Sequence, residues 1–288
     1  MKKFLYTLSI IFLVGVFCFA AWQLYTTIAE YEAGTSAYEG LNQFVSVETA
    51  PKTEVQQPQE SEEMTGETTA ESTEATEVTD ETEGTEPPTL AEQAGLSVDF
   101  KSLKKINKYT AGWLYIEDTK VNYPVIQPYD NMLYLRRLFD GTRNTAGCLF
   151  VDEQCGNDFT DPNNIIYGHN MRNGSMFADI AKYKKQDYFE EHPEGLLLTP
   201  DGNYRVVFFS GYVLKASGQD AWRTSFTDEL YEEWLEEITE KSMLKCDIVP
   251  ETTDRILTLS TCSYEFANAR FVLHGILVPE ETEDTNAE

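Results

Sequence analysis

The sequence predicts a mainly β domain, a barrel or sandwich with a few helices, in the C-terminal part of a 288-residue chain. Short apolar runs, alternating or rich in branched side chains, recur from residue 113 onward, and Pro, Gly, Asn and Asp separate them. A segment of about 180 residues can bury a core of its own, so one domain is expected at 96–279. The predicted strands are residues 113–116, 121–126, 148–151, 165–168, 195–199, 204–213, 246–249, 255–260 and 271–277.

Helices are predicted between these runs. The last of them is amphipathic, because its apolar positions follow the helical period and acidic residues occupy the other face. Those apolar positions are Leu230, Trp234, Leu235 and Ile238. We therefore expect a long helix that covers one end of the sheet before its final strands. The four predicted helices are residues 99–109, 131–139, 176–183 and 225–241.

The N-terminus carries a candidate membrane segment. Two lysines precede an apolar run over residues 4–22, which at about 1.5 Å per residue is long enough to cross the hydrocarbon core. A cleaved signal peptide is the alternative, but the small residues that cleavage requires are absent before Ala20. We therefore expect an uncleaved signal anchor over residues 4–24. The positive residues before it predict that residues 1–3 are cytoplasmic and that the domain is extracellular.

Residues 25–95 are predicted to form an extracellular, acidic, disordered linker rich in Thr and Glu. Residues 48–94 contain fourteen acidic residues, eleven threonines and a single lysine, so they cannot bury enough apolar surface to offset their conformational entropy. Like charges extend such a segment, which would let the domain stand away from the membrane. It carries about half of the net charge of −27, and residues 280–288 form an acidic tail. No basic stripe exists, so nucleic acid binding is not expected.

Candidate chemistry lies near the C-terminal end of the domain. Cys262 follows the predicted strand at 255–260, and Arg270 precedes the one at 271–277. The thiol and the guanidinium would then flank one short turn, within reach of a common substrate. Glu265 is the only acidic residue of that turn, and nothing in the sequence ties it to a histidine.

A nucleophilic cysteine needs a base or a cationic partner that raises its thiolate fraction, and the chain has three histidines. His169 follows an apolar run that breaks at Gly168, so its imidazole would project from a strand end, as active-site residues commonly do. His192 lies at a polar helix end, which favours a solvated role. His274 alternates with apolar residues inside a strand, which favours a structural, hydrogen-bonded role. His169 is therefore the predicted catalytic base.

The other cysteines leave the question of disulfides open and do not predict a metal site. Cys18 falls in the membrane segment, and pairing among the remaining three cannot be read from the sequence. Cys148 and Cys246 resemble small buried residues at strand starts, whereas Cys155, in a Gly- and Asn-rich loop, is expected to be exposed. None of them shares zinc-type spacing with a histidine, so no metal and no cofactor is expected.

Taken together, the motifs resemble those of the sortases, the membrane-anchored cysteine transpeptidases of Gram-positive bacteria. The resemblance rests on Thr-Leu-Ser-Thr-Cys at 258–262 with Arg270, and on Tyr-Gly-His-Asn-Met at 167–171. The long helix before the penultimate strand is similar to that of class B members, and class A members lack it. Further blocks follow in the family's order: Gly-Trp-Leu-Tyr-Ile at 112–116, Val-Asn-Tyr-Pro-Val at 121–125, Phe-Asp-Gly at 139–141 and Gly-Ser-Met-Phe at 174–177.

The resemblance implies a closed barrel of about eight strands with peripheral helices, including an N-terminal helix. It also implies that Cys262 attacks the carbonyl of a Thr-x bond in the C-terminal sorting signal of a secreted protein and forms a thioester. His169 would protonate the departing amine, and Arg270 would contact the substrate. An amine of the cell wall precursor would then accept the acyl group. By motif position, the substrate groove would be lined by Asn131, Leu135, Ser260 and Thr261.

Three alternative functions remain open at this stage. A hydrolytic cysteine protease would use the same Cys262 and His169. A pilus-assembling sortase would transfer the acyl group to a lysine side chain. A non-catalytic anchored receptor or adhesin would not need the thiol at all. The products formed with and without an added amine, and the identity of the acceptor, distinguish these classes.

Overall fold

The computed structural model describes residues 2–47, 95–218 and 220–280. The chain opens with helix α1 (Lys2–Leu41), whose first half is apolar and exposed. By length and composition, α1 is the one helix among the described residues that could cross a membrane. An apolar helix of membrane-spanning length therefore lies near the N-terminus, as the sequence predicts.

The linker expected over residues 25–95 begins differently from the prediction, because α1 continues unbroken to Leu41. Two causes act together. Residues 26–41 contain no proline and several alanines and glutamates, which favour helix. One face of this part of α1 also packs on the domain, where Tyr38 is only 5% exposed. The disorder predicted for residues 48–94 lies outside the described residues, as does the tail at 281–288.

A small two-stranded sheet follows α1. A 3-10 turn at Asn42–Phe44 leads into strand β1 (Val45–Val47), which pairs antiparallel with β2 (Leu96–Val98). Val47 lies opposite Leu96 in this pairing. The residues that flank segment 48–94 are therefore paired with each other, beside the end of α1.

Eight strands form a closed barrel, which confirms the expected fold class. They are β3 (Thr110–Tyr115), β4 (Asn122–Ile126), β5 (Leu149–Val151), β6 (Asn163–Tyr167), β7 (Glu194–Thr199), β8 (Gly202–Lys215), β9 (Ile256–Cys262) and β10 (Ala269–Glu280). Their order around the barrel is β3-β4-β5-β6-β9-β10-β8-β7, and β7 closes on β3. The pairs β4–β5 and β6–β9 are parallel, and the other neighbours are antiparallel.

Three further helices lie outside the barrel: α2 (Phe100–Ile106), α3 (Gln186–Glu191) and α4 (Asp228–Glu240). The Asp99 carboxylate caps α2 by accepting a hydrogen bond from a backbone N–H of the first turn. Thr227 caps α4 in the same way. Helix α3 is not among the four helices predicted by range, although its C-cap is His192, which the sequence placed at a helix end.

Two of the expected helices are only short 3-10 segments. Residues 131–139 contribute Leu133–Arg136, and residues 176–183 contribute Ile180–Lys184. In the first, the Asp130 side chain accepts hydrogen bonds from two following backbone N–H groups, which competes with helix formation. In the second, Met176 has a φ of 56°, so a right-handed helix cannot begin there.

The hydrophobic core is centred on the barrel, and α4 covers a second cluster on the opposite face of β8 and β10. The buried stripe of α4 consists of Tyr231, Trp234, Leu235 and Ile238. These positions follow the spacing of one helix face. Tyr231 takes the place that the sequence assigned to Leu230, which is 41% exposed. The long amphipathic helix before the penultimate strand is therefore confirmed, with its stripe starting one residue later.

Residues 246–249, expected to form a strand, are irregular. Val249 is 74% exposed, so no neighbouring strand buries this run. Pro250 follows directly and has no N–H for a ladder hydrogen bond. Cys246 is half-buried and starts no strand; its Sγ accepts a local hydrogen bond from the Ile248 N–H.

The prediction that Cys155 is exposed is wrong. Its side chain is buried, its Sγ donates to the Asn163 carbonyl at 3.5 Å, and Gln127 binds its carbonyl. The loop folds inward because these contacts satisfy its polar groups. Burial raises the pKa of the Cys155 thiol to about 12. Cys148 is buried as expected, and burial raises its pKa to about 12 as well.

His274 has the structural role that its strand position predicts. Its Nδ1 lies 2.9 Å from Thr258 Oγ1, and that hydroxyl donates to Asn163 Oδ1 at 2.6 Å. Because the hydroxyl has a single proton, Nδ1 must be the protonated nitrogen and must donate to Thr258. The ring packs against Tyr212 and Trp234, and burial lowers its pKa to about 3. The folded state therefore holds a neutral imidazole.

We expect His274 to make the domain less stable as the pH falls below 6.5, the usual pKa of the imidazole. Unfolded His274 binds a proton there, whereas folded His274 stays neutral down to a pH of about 3. The contribution of His274 to the free energy of unfolding is therefore fully present above pH 6.5. It decreases as the pH falls, by about 2 kcal/mol at pH 5. Urea unfolding of a chain without residues 1–25, followed by tryptophan fluorescence, measures this loss.

The matched control is His274→Gln, which keeps a polar side chain and cannot titrate. Subtracting its free energy of unfolding at each pH removes the contribution of all other groups. An equal loss of stability in both proteins between pH 7.5 and pH 5 would assign the pH dependence to other residues.

Candidate active site

Cys262 and Arg270 lie directly opposite each other at one end of the barrel. Cys262 is the last residue of β9, and its Cα pairs with that of Arg270, the second residue of β10. Side chains directly opposite in an antiparallel pair share one face of the sheet, with Cβ atoms about 4.5–5.5 Å apart. The turn between them closes through a hydrogen bond from Ser263 N to Ala269 O and a left-handed Asn268. Cys262 and Arg270 are therefore cross-strand neighbours on either side of one short turn.

His169 reaches the same edge from strand β6. Because β6 runs parallel to β9, both strands end at the same edge of the barrel. Three hydrogen bonds join the two ends. Gly168 N donates to Ser260 O at 3.1 Å, Thr261 Oγ1 donates to Gly168 O at 2.8 Å, and Asn170 Nδ2 donates to Cys262 O at 3.0 Å. These bonds flank His169 and fix its backbone beside that of Cys262.

The His169 imidazole has a defined tautomer. Its Nε2 lies 2.7 Å from the Leu135 carbonyl oxygen, which can only accept a hydrogen bond. Nε2 therefore carries a proton, and Nδ1 is the nitrogen that remains for proton exchange. The backbone of His169 is held as well, because its carbonyl accepts from Phe177 N at 2.9 Å.

Gly168 is required by the close packing beneath the histidine. A Cβ atom at this position would lie 2.5 Å from Leu149 Cδ2 and 2.6 Å from the ring of Phe177, a fully buried residue. A glycine thus lets the chain pass over the core at the point where β6 ends. The break that the sequence shows at Gly168 has a steric cause.

A cleft of about 680 Å³ opens beside Arg270 and Ser260. Trp222, in the segment after β8, closes one side, and its Nε1 donates to Ser260 Oγ at 3.1 Å. Asp152 and Tyr167 also line the cleft. Its lining is mostly polar and includes Arg270, whereas Cys262 and His169 do not line it.

Of the four predicted groove residues, one lines the cleft and three do not. Ser260 lines it. The Asn131 amide is fully engaged, donating to Asp152 Oδ2 and accepting from Glu153 N, both at 2.9 Å, so it braces the wall. Leu135 packs its side chain against the core and presents its carbonyl to His169. Thr261 is buried and binds Gly168.

Glu265 is engaged away from the histidine. Its carboxylate binds Lys184 Nζ at 2.7 Å and the Ser263 hydroxyl. The Lys184 ammonium, followed by the Ser263 hydroxyl, lowers the pKa of Glu265 to about 2. Glu265 therefore stays ionised and anchors the turn between β9 and β10.

Sequence reasoning missed two residues that shape the site. Asn170 lies within the His169 motif, and an amide beside a candidate base was a usable signal. Trp222 carries no periodic or motif signal, because it lies in a short 3-10 helix (Asp220–Trp222) that only the closed barrel brings to Ser260.

Comparison with known proteins agrees with this geometry. The sortase domain model matches residues 114–278, more than half of the chain. The chain belongs to the sortase family. Sortase B of Listeria monocytogenes (serovar 1/2a) is 37% identical to this sortase over 183 residues, which cover 62% of this chain and 74% of that protein.

Solved sortase B structures share the fold of this sortase. That of Clostridium perfringens aligns with a TM-score of 0.60 at 36% identity, over 62% of this chain and 99% of that chain. The Staphylococcus aureus sortase B–substrate complex aligns with a TM-score of 0.60 at 32% identity, over 63% of this chain and 85% of that chain. The resemblance to class B is confirmed.

We expect Gly168→Ala to destabilise the domain by about 1–3 kcal/mol, because the added methyl group overpacks the buried contact with Phe177 and Leu149. The same change should displace His169. Thermal unfolding measures the first effect, and the rate of alkylation of Cys262 measures the second.

Gly40→Ala is the matched control, because a Cβ there meets nothing within 4 Å and lies in helix α1. It should be neutral or stabilising by up to about 1 kcal/mol. Equal melting temperatures for the two variants would show that the site has room for a methyl group.

Proposed function

We propose that this class B sortase uses Cys262, His169 and Arg270 to cleave a sorting signal and transfer the acyl group to an amine. The observation that carries the proposal is the pairing of Cys262 with Arg270 across β9 and β10, with His169 at the end of the adjoining parallel strand. A nucleophile, a base and a cationic donor thus meet at one rim of the barrel, beside a cleft.

The first half-reaction forms a thioester. His169 Nδ1 takes the proton of the Cys262 thiol, and the thiolate attacks the carbonyl carbon of a Thr-x bond. Negative charge develops on the carbonyl oxygen, where the Arg270 guanidinium donates hydrogen bonds. The C–N bond then breaks, and the imidazolium of His169 gives its proton to the departing amine.

The second half-reaction releases the product. An amine attacks the thioester carbon, and neutral His169 accepts the proton that the amine loses. A new amide bond forms and the C–S bond breaks, and the departing thiolate takes the proton from the His169 imidazolium, which restores the Cys262 thiol. Water in place of the amine gives hydrolysis, a slow side reaction of the same apparatus.

The acceptor is proposed to be an amine of the cell wall precursor. A solved sortase B complexed with triglycine is 32% identical to this chain with a TM-score of 0.60, and a glycine peptide presents a free α-amine. This favours a wall-type amine over the lysine side chain that a pilus-assembling sortase uses. The substrates are then secreted proteins with a C-terminal sorting signal.

We further propose that α1 anchors the enzyme in the cell membrane as a single span. The apolar first half of α1 fits the hydrocarbon core. Lys2 and Lys3 precede it, which favours a cytoplasmic N-terminus and an extracellular catalytic domain.

Cys262→Ala should abolish formation of the acyl-enzyme, because no thiolate remains to attack. His169→Ala should lower turnover by ~10²–10⁴-fold, the usual contribution of general acid–base catalysis. Mass spectrometry of the trapped thioester and steady-state rates with a sorting-signal peptide measure the two effects. His192→Ala is the control and should leave the rate unchanged; turnover that survives in Cys262→Ala would refute the proposal.

Arg270→Lys should fold normally and lose about 10²–10³-fold in kcat/KM, because lysine keeps the charge and loses the planar fork of donors. Arg205→Lys is the matched control. Arg205 lies on β8 and pairs with Glu194 at 3.3 Å on the surface, where an ion pair is worth only about 0–1 kcal/mol. Similar values of kcat/KM for the two variants would show that Arg270 has no catalytic role.

Adding triglycine to the reaction should replace the hydrolysed peptide with a glycine-extended product and raise the overall rate. The measurement is chromatography of the products with and without the amine. Hydrolysis at an unchanged rate in both reactions would instead indicate a cysteine protease.

A further inference from the structure

The second half of α1 is built into the catalytic domain. Glu30, Gly34 and Tyr38 recur every four residues, so they share one face of the helix. The Glu30 carbonyl accepts from Asn144 Nδ2 at 2.9 Å, and its carboxylate accepts from Thr145 N at 3.0 Å. This face thus holds the loop that leads into β5.

The fit between helix and loop is close. A Cβ atom on Gly34 would lie 3.1 Å from Asn144 Oδ1 and 3.3 Å from Ala146 Cβ, so the backbone of α1 rests directly on the loop. One turn later Tyr38 is buried, with its ring edge-on to Tyr123 at 5.2 Å between centroids. The contact between α1 and this loop is therefore as closely packed as a protein interior.

Tyr38 ends in a hydrogen bond to the backbone of the loop. Its hydroxyl donates to the Gly147 carbonyl, 109 residues away along the chain. Burial, and to a lesser extent the nearby Cys148, raise the pKa of Tyr38 well above its ordinary value. The phenol is thus a permanent donor at physiological pH, and the Gly147 carbonyl has a fixed position.

Gly147 in turn lies against the catalytic histidine. It has a φ of 64°, and a Cβ atom there would lie 3.1 Å from His169 Cδ2 and 2.8 Å from the Leu135 carbonyl oxygen. That carbonyl is the one that accepts the hydrogen bond of His169 Nε2. Gly147 therefore lies beside both the imidazole and the group that sets its tautomer, with no room for a side chain between them.

We propose that Tyr38 is a positioning residue for His169, acting through Gly147, so that the membrane-proximal helix is part of the catalytic apparatus. The proposal rests on the role of His169 in the proposed function. The hydrogen bond from Tyr38 holds Gly147, and Gly147 limits the rotation of the imidazole. Nε2 then stays bound to the Leu135 carbonyl oxygen, which leaves Nδ1 for proton exchange.

Tyr38→Phe tests this, because it keeps the buried ring and removes only the hydroxyl. The matched control is Tyr231→Phe in α4, another buried tyrosine whose hydroxyl donates to backbone carbonyls, those of Pro162 and Asp254, outside the site. Both variants are made in the full chain and reconstituted in lipid nanodiscs. Rates are measured with a sorting-signal peptide and triglycine as acceptor.

We expect Tyr38→Phe to lower kcat on the order of tenfold, since small displacements of a catalytic group have large effects on rate, while KM for the peptide stays within about twofold. Its pH–rate profile should move along the pH axis. The Nε2 resonance of His169, seen in protein labelled with ¹⁵N-histidine, should shift as well. Tyr231→Phe should change none of these, although it loses hydrogen bonds of the same kind.

Equal kcat, pH profile and His169 resonance in the two variants would overturn the proposal. If Tyr38→Phe does not fold, Glu30→Ala replaces it, because it frees Thr145 in the same loop and should shift the same three readouts. His169→Ala is measured in parallel. Loss of activity in His169→Ala with no effect of Tyr38→Phe rejects the positioning role alone, whereas full activity in His169→Ala rejects the proposed function itself.

Discussion

The arrangement of the site depends on strand β9, which pairs with one neighbour in parallel and with the other antiparallel. Parallel pairing with β6 brings two strand ends to one edge, so that His169 and Cys262 emerge side by side. Antiparallel pairing with β10 brings the start of the next strand to the same edge, with Arg270. Because side chains alternate along a strand, a shift of one residue between β9 and β10 would turn Arg270 to the other face.

Side chains secure this edge where the strand ladders stop. Thr261 and Asn170 donate to backbone carbonyls across the junction of β6 and β9. The indole of Trp222 binds Ser260 on the cleft side. Polar residues at these buried or half-buried positions are satisfied by one another, which is the condition for placing them beside a hydrophobic core. Hydrogen bonds therefore hold the rim in place in the absence of substrate, as the proposed nucleophile and base require.

Local features of the site could be predicted from the sequence, and features that depend on the closed barrel could not. Cys262 and Arg270 flank one turn, so their spacing alone indicated that they meet. Placing His169 beside Cys262 needed the parallel pairing of segments about ninety residues apart, which no local period reveals and which the family resemblance supplied. Cys155 was predicted to be exposed because its loop is rich in Gly and Asn. Its burial depends on contacts with Gln127 and Asn163, which lie outside that loop.

Composition was also insufficient to place the acidic segment, residues 48–94, in the structure. Composition indicates whether a segment can fold, but not which two points of the structure it connects. The pairing of β1 with β2 brings the two ends of residues 48–94 together, and Glu30 and Tyr38 already bind the domain before that segment begins. With α1 as the proposed membrane span, about 12 Å of helix at 1.5 Å per residue separates Trp22, at the end of the apolar run, from Glu30, which binds the domain. The length and charge of residues 48–94 do not enter this distance.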